Sequence, residues 1–158
     1  MSYLSELLPL EQIQLKIEAT DKTGVLRELI ALVPEIRSEK AQQESFLAAL
    51  LERERMHTTA IGDGIALPHA RNPLAGVLKR PLLIFGRHVS GVPFGALDNK
   101  PVRLLFLLAS PNLTDHLTML ARLSRVLRDQ NLRSALLGTP FPAEIIKQIA
   151  EAETRTMK

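Results

Sequence analysis

A chain of 158 residues, 46% of them hydrophobic, can build one hydrophobic core of ordinary size, and a single domain spanning residues 1–158 is expected. Cysteine is absent, which excludes a disulfide framework and any thiolate metal site. Aromatic residues reach only 4% with no Trp, the formal charge is a mild +3, and no DNA-reading element stands out, so no nucleic-acid partner is expected.

No basic-then-apolar leader opens the sequence, and no apolar run approaches the length of a membrane span. A cytoplasmic protein without direct membrane insertion is the expectation. In chain order, Met1 to Leu10 read as a short helical lead-in. Ile13, Leu15 and Ile17 alternate with Gln14 and Lys16, the period-two pattern of a strand with one buried face. Asp21 or Thr23 can cap a helix to about Val33, with Val25, Leu26, Leu29 and Ile30 on its buried face and Pro34 closing it. Ser38 is placed to cap a longer helix to about Arg55, with Phe46, Leu47, Leu50 and Leu51 on its apolar side. Arg53 lies at the edge of that side. It has two readings: a cation at the negative end of the helix dipole, or a charge delivered to the loop that follows.

That loop, Thr58 to Arg71, is the most distinctive stretch of the chain. Gly62 and Gly64 permit positive φ and close backbone approach. Pro68 fixes its own φ and biases Leu67 towards an extended shape, so His69 sits on a stiff support. A rigid histidine beside a glycine loop points to a reactive imidazole, the side chain whose unperturbed pKa lies nearest neutrality.

Beyond the loop, Asn72-Pro73 reads as a turn. Pro81 to Arg87 reads as a strand, broken by Gly91, Pro93 and Gly95, and Asp98 to Pro101 as a turn. Val102 to Ala109 is apolar almost throughout, as in a strand covered on both faces. Thr114 is the expected N-cap of a helix to about Arg128. Leu132 to Leu137 adds a turn or two before Gly138 and Pro140. Pro142 starts a last helix over Ala143 to Glu151, and residues from about Thr154 to Lys158 are expected to fray. Strands interspersed with helices argue for an α/β sandwich.

His116 falls in the first turn of its helix, near the middle of the apolar face formed by Leu117, Met119, Leu120, Leu123, Val126 and Leu127. One reading is a satisfied core histidine. The other is a histidine facing an anion, because first-turn N–H groups lack intrahelical partners. His57 reads as a solvated loop residue and His88 as a surface residue at a strand end. The histidine spacings match no short zinc pattern, so neither metal nor cofactor is expected. Arg122, Arg125, Arg128 and Arg133 read as a solvated helix face or as a contact patch for an acidic partner.

The run GDGIALPHA, with Arg53-Glu54 upstream, resembles the type-2 enzyme IIA domains of the bacterial phosphoenolpyruvate-dependent phosphotransferase system. That group includes fructose, mannitol and nitrogen-regulatory members. The resemblance continues through Pro93 to Val102 and Leu104 to Leu108, reaches His116, and so covers nearly the whole chain. Thr58 to His69 looks closest to the nitrogen-regulatory pattern. Asn99-Lys100 departs from it, since a glycine often follows the aspartate there.

The resemblance implies a three-layer sandwich, a central mixed β-sheet flanked by helices on both faces. It implies a phosphotransferase component in which His69 accepts a phosphoryl group from an HPr-type phosphocarrier, forming a tele-phosphohistidine. His116 would donate to the phosphate, Arg53 would be a further phosphate contact, and Gly62, Gly64 and Pro68 would support the loop. The second ring nitrogen of His69 must then donate its proton to a fixed acceptor, for which a backbone carbonyl is expected. Two roles are compatible with this chemistry. A nitrogen-regulatory member signals by its phosphorylation state, whereas a sugar-specific member passes the phosphate to a cysteine of an enzyme IIB. The absence of cysteine leaves no place for a IIB domain in this sequence, and a chain standing alone tilts the expectation towards regulation. A third reading, a partner-binding module without phosphate, is disfavoured by the presence of both His69 and His116.

Overall fold

The computed structural model describes residues 3–70, 74 and 76–156. Among these residues five strands form one sheet: β1 (Ile13–Gln14), β2 (Ala60–Gly62), β3 (Ile65–Ala66), β4 (Leu82–Val92) and β5 (Val102–Ala109), in the spatial order β1-β4-β5-β3-β2. β4 and β5 pair antiparallel, as do β2 and β3, while β1 on β4 and β3 on β5 are parallel. The sheet is therefore mixed.

Alternation along the two central strands divides the core. Leu82, Ile84, Leu105 and Leu107 face α1 (Lys22–Ile30) and α2 (Lys40–Met56), which contribute Val25, Leu29, Phe46 and Leu50. Leu83, Phe85, Leu104 and Phe106 face α3 (Leu113–Val126), α4 (Gln130–Gly138) and α5 (Pro142–Thr156), which contribute Met119, Leu123, Leu136 and Ile149. Each face of β5 thus has its own helical layer, which is why the strand reads apolar but for Arg103. Phe85 and Phe106 stand opposite each other across the ladder and meet edge to face, with ring centroids 5.1 Å apart.

Several boundaries differ from the sequence expectation. Asp21, not Thr23, caps α1, its carboxylate accepting from the Gly24 N–H at 2.7 Å. A 3₁₀ turn at Pro34–Ile36 precedes α2, and Ser38 does not cap it; the Gln43 amide instead reaches back to the Ile36 and Arg37 carbonyls at 2.8 and 2.9 Å. Asn112, not Thr114, caps α3. β4 runs on to Val92 because β5 continues to pair with it past an irregularity between Arg87 and Val92. His88 is consequently a buried strand residue, 7% exposed, rather than a surface one, and its Nδ1 accepts from the Gly91 N–H at 2.9 Å.

The expected fraying is corrected over Thr154 to Thr156, where α5 stays helical; Met157 and Lys158 lie outside the described residues. The cause is Glu153, 2% exposed, whose carboxylate accepts from the Leu4 and Ser5 N–H groups at 2.8 and 3.1 Å and pins the helix end to the lead-in segment. The Asn72-Pro73 turn, with Arg71, lies outside the described residues.

Candidate phosphoryl-transfer site

The chain leaves α2 at Met56 and re-enters the sheet at Ala60, and a buried carboxylate ties the two ends of that passage together. Glu54 accepts from the Thr59 N–H at 3.1 Å and from the Thr59 hydroxyl, and pairs with Lys22 Nζ at 3.3 Å. Gly62, Asp63 and Gly64 then take φ values of 93°, 55° and 76°, three left-handed residues in succession. Asp98 holds this turn by accepting from the Asp63 N–H at 3.0 Å. The Gly64 carbonyl accepts from the Arg103 and Leu104 N–H groups at 2.8 and 3.0 Å, which starts β3 in register on β5. A Cβ on Gly64 would lie 3.4 Å from the Pro101 carbonyl, in a backbone region that L side chains avoid. Gly64→Ala is expected to lower stability by about 1–2 kcal/mol in urea unfolding, mostly from the left-handed φ.

β3 delivers the histidine. The Leu67 N–H donates to the Thr59 carbonyl at 3.1 Å and the Leu108 N–H to the Pro68 carbonyl at 3.0 Å, so Leu67-Pro68 is held along the end of β5. The Leu67 carbonyl lies 2.7 Å from Nδ1 of His69. A carbonyl can only accept, so Nδ1 carries the proton and Nε2 keeps its lone pair. Leu67 is thus the backbone acceptor that the sequence could name only by type. The His116 ring stands 5.1 Å from the His69 ring, centroid to centroid, with 53° between their planes. Asn112 fixes the start of α3 by accepting from the Asp115 N–H at 2.8 Å, and this places the positive end of the helix beside the pair.

His69, His116 and Arg53 line one cleft of about 560 Å³, together with Ser110 and Asn112. Arg53 stands at the end of α2 and beside the cleft. Its guanidinium donates to the His57 carbonyl at 2.6 Å. His57 itself is exposed, as expected.

Burial holds the His69 imidazole below its usual value of 6.5; the Leu67 carbonyl opposes this, the Arg53 charge adds to it, and the Glu54 carboxylate works against it. His116 is lowered first by burial and then by the charge of His69. Both rings are therefore neutral at neutral pH. NMR titration of the ring protons is expected to give both histidines pKa values below 6.5. The unfolded chain then binds more protons in mild acid, so this contribution to stability is complete above the unfolded value and is lost as pH falls through the folded ones.

The sequence model of the family "Phosphoenolpyruvate-dependent sugar phosphotransferase system, EIIA 2" matches residues 6–152. The chain belongs to the EIIA type-2 family. It is a phosphoryl-transfer component of that system. Its relatives divide between two roles. A fructose-specific EIIA component of Haloferax volcanii is 36% identical over 150 residues, covering 94% of this chain and 95% of that one. A nitrogen regulatory protein of Bradyrhizobium diazoefficiens is 34% identical over 135 residues, covering 84% and 85%. The crystal structure of the nitrogen regulatory protein IIA-Ntr from Neisseria meningitidis superposes with a TM-score of 0.79 at 32% identity, covering 92% of this chain and 97% of that one.

Around the cleft of this EIIA domain stands an apolar rim that periodicity alone misplaces. Met56, Leu113 and Leu117 line the cleft and are 77%, 64% and 54% exposed. Helical spacing assigns Leu117 to the buried face of α3, but α3 packs through Met119, Leu123 and Val126 and leaves its first turn clear of the core. The Glu54 clamp is also missed from sequence. Its only signal is the Arg53-Glu54 pair itself, and its partner Thr59 lies five residues on, beyond the helix. Asn112 had a readable signature, an Asn three residues ahead of an Asp at a helix start.

Proposed function

We propose that His69 is the phosphoryl acceptor of this EIIA domain, taking the group on Nε2 from the phosphohistidine of an HPr-type carrier, and that its phosphorylation state serves regulation. The observation that carries this reading is the 2.7 Å contact between His69 Nδ1 and the Leu67 carbonyl, which leaves Nε2 as the free nucleophilic nitrogen in the shared cleft. Nε2 attacks the donor's phosphorus, the donor's P–N bond breaks, and its electron pair returns to the donor ring. The Leu67 carbonyl stabilises the charge that grows on the Nδ1–H side. His116 offers an N–H to the phosphoryl oxygens, and Arg53 supplies a cation at the cleft edge. The rim of Met56, Leu113 and Leu117 is the surface on which the carrier docks.

The regulatory role rests on the likeness of the loop to nitrogen-regulatory members and on the relatives of that kind. The fructose-specific relative of Haloferax volcanii favours a second reading, transfer onward to a IIB cysteine for sugar uptake. Intact-mass analysis after incubation with phosphoenolpyruvate, enzyme I and an HPr-type carrier tests the chemistry: one acid-labile phosphate is expected. Adding fructose- and mannitol-type IIB proteins separates the roles, because a phosphate that stays on the chain supports regulation and one that moves to the IIB cysteine supports transport.

A further inference from the structure

A second cleft, of about 350 Å³, opens at the other end of β5, where Arg103 lies near the start of the strand whose far end leads to Ser110 and the histidine pair. Its cations are Lys100, Arg103 and Arg133; Asp63 is the carboxylate in its lining, the charge of Lys100 also acts on Asp98, and Arg133 already donates through Nη1 to the Leu127 and Arg128 carbonyls at 2.8 and 3.1 Å. Among the described residues none of the three cations forms an ion pair. Arg103 Nε is buried and has no protein acceptor, an exception to the rule that buried donors are paired.

The stem of Arg103 is held in place from behind. Gly91 lies against it so closely that a Cβ there would sit 3.3 Å from Arg103 Cγ and 2.7 Å from Pro101 Cβ. Next to it Arg87, 8% exposed, spends its guanidinium on the Leu15, Leu136 and Thr139 carbonyls, so a second positive charge lies near Arg103 with no carboxylate bonded to it. Burial, and then the charge of Arg103, pull that guanidinium below its usual value. The opposite wall is one face of α4, where Gln130 and Ser134 add neutral donors.

We propose that this cleft binds a small phosphate-bearing anion, with Arg103 as the central ligand and Lys100 and Arg133 beside it. Arg103 borders the cleft, and the terminal nitrogens of a guanidinium match phosphate oxygens in a fork that a flexible ammonium cannot offer. The cleft is at the small end of the range for small-molecule sites, which suits a metabolite rather than a macromolecular surface.

The test is a titration of the ¹⁵N-labelled chain with inorganic pyrophosphate at low ionic strength, and with citrate in parallel. Saturable shifts are expected at the Gly64, Arg103, Gln130 and Ser134 amides, with those of His69 and Ala70 unmoved. Arg103→Gln is expected to weaken binding about tenfold, the scale of one charge-assisted hydrogen bond. Lys100→Gln, on an exposed turn that the fold does not depend on, should weaken it less. Shifts confined to the histidine cleft, failure to saturate, or citrate binding tighter than pyrophosphate would each overturn the proposal. Should Arg103→Gln not fold, unchanged affinity in Lys100→Gln would do the same.

Discussion

The His69→Ala variant is expected to take no transferable phosphate from an HPr-type carrier, with a fall in transfer rate of at least about a thousandfold, the scale on which removal of a nucleophile acts. Its fold should survive. His69 is only half-buried, and among the described residues its ring makes a single hydrogen bond, to the Leu67 carbonyl. Unfolding in urea should therefore lie within about 1 kcal/mol of wild type, and labelling and stability together separate a lost nucleophile from a lost structure. Undiminished labelling would move the acceptor elsewhere, with His116, 5.1 Å away, the first residue to examine.

Glu54→Ala is expected to cost about 3 kcal/mol of stability, the lower end of the range for breaking a buried ion pair, because it strands the Thr59 N–H as well as the Lys22 ammonium. Lys22 is 28% exposed along its side chain and can turn to water, which keeps the cost at that end. Glu54→Gln should lose less, since its amide oxygen can still accept from Thr59. The same variants carry a functional readout. The Glu54 carboxylate is one of the influences that raise the His69 pKa, so removing it should move that titration further into acid. Urea unfolding and a ring-proton titration on one sample decide both points, and a His69 pKa that rises instead would show that the loop had rearranged.

How far these features could be read from the chain depended on the range of the interaction behind them. β5 was legible to the residue, because an apolar run flanked by Pro101 and Pro111 admits few alternatives. Gly62, Gly64 and Pro68 announced the loop because backbone constraint is written into single residues. The meeting of His69 and His116 was not legible from spacing, since it depends on β3 lying parallel to β5 and carrying the first histidine to the end from which α3 departs. The resemblance bridged that gap. Glu54, Glu153 and the true burial of His88 escaped notice for a common reason: each is a polar group whose burial is compensated by partners that only the folded chain brings near. The cap of α3 was missed by two residues through preferring Thr to the better-placed Asn.

The division of β4 and β5 between two helical layers sets a parity rule for changes in chain length. Inserting or deleting one residue inside either strand would turn Phe85 or Phe106 to the α1–α2 side and put a smaller Ile or Leu in its place on the other, so both cores would be mispacked together. The same change within the Pro93–Pro101 connection leaves the parity of both strands intact. Length variation in descendants of this domain should accordingly concentrate in that connection, and a library of single-residue insertions scored for soluble expression would trace the strands as two intolerant blocks on either side of a permissive one.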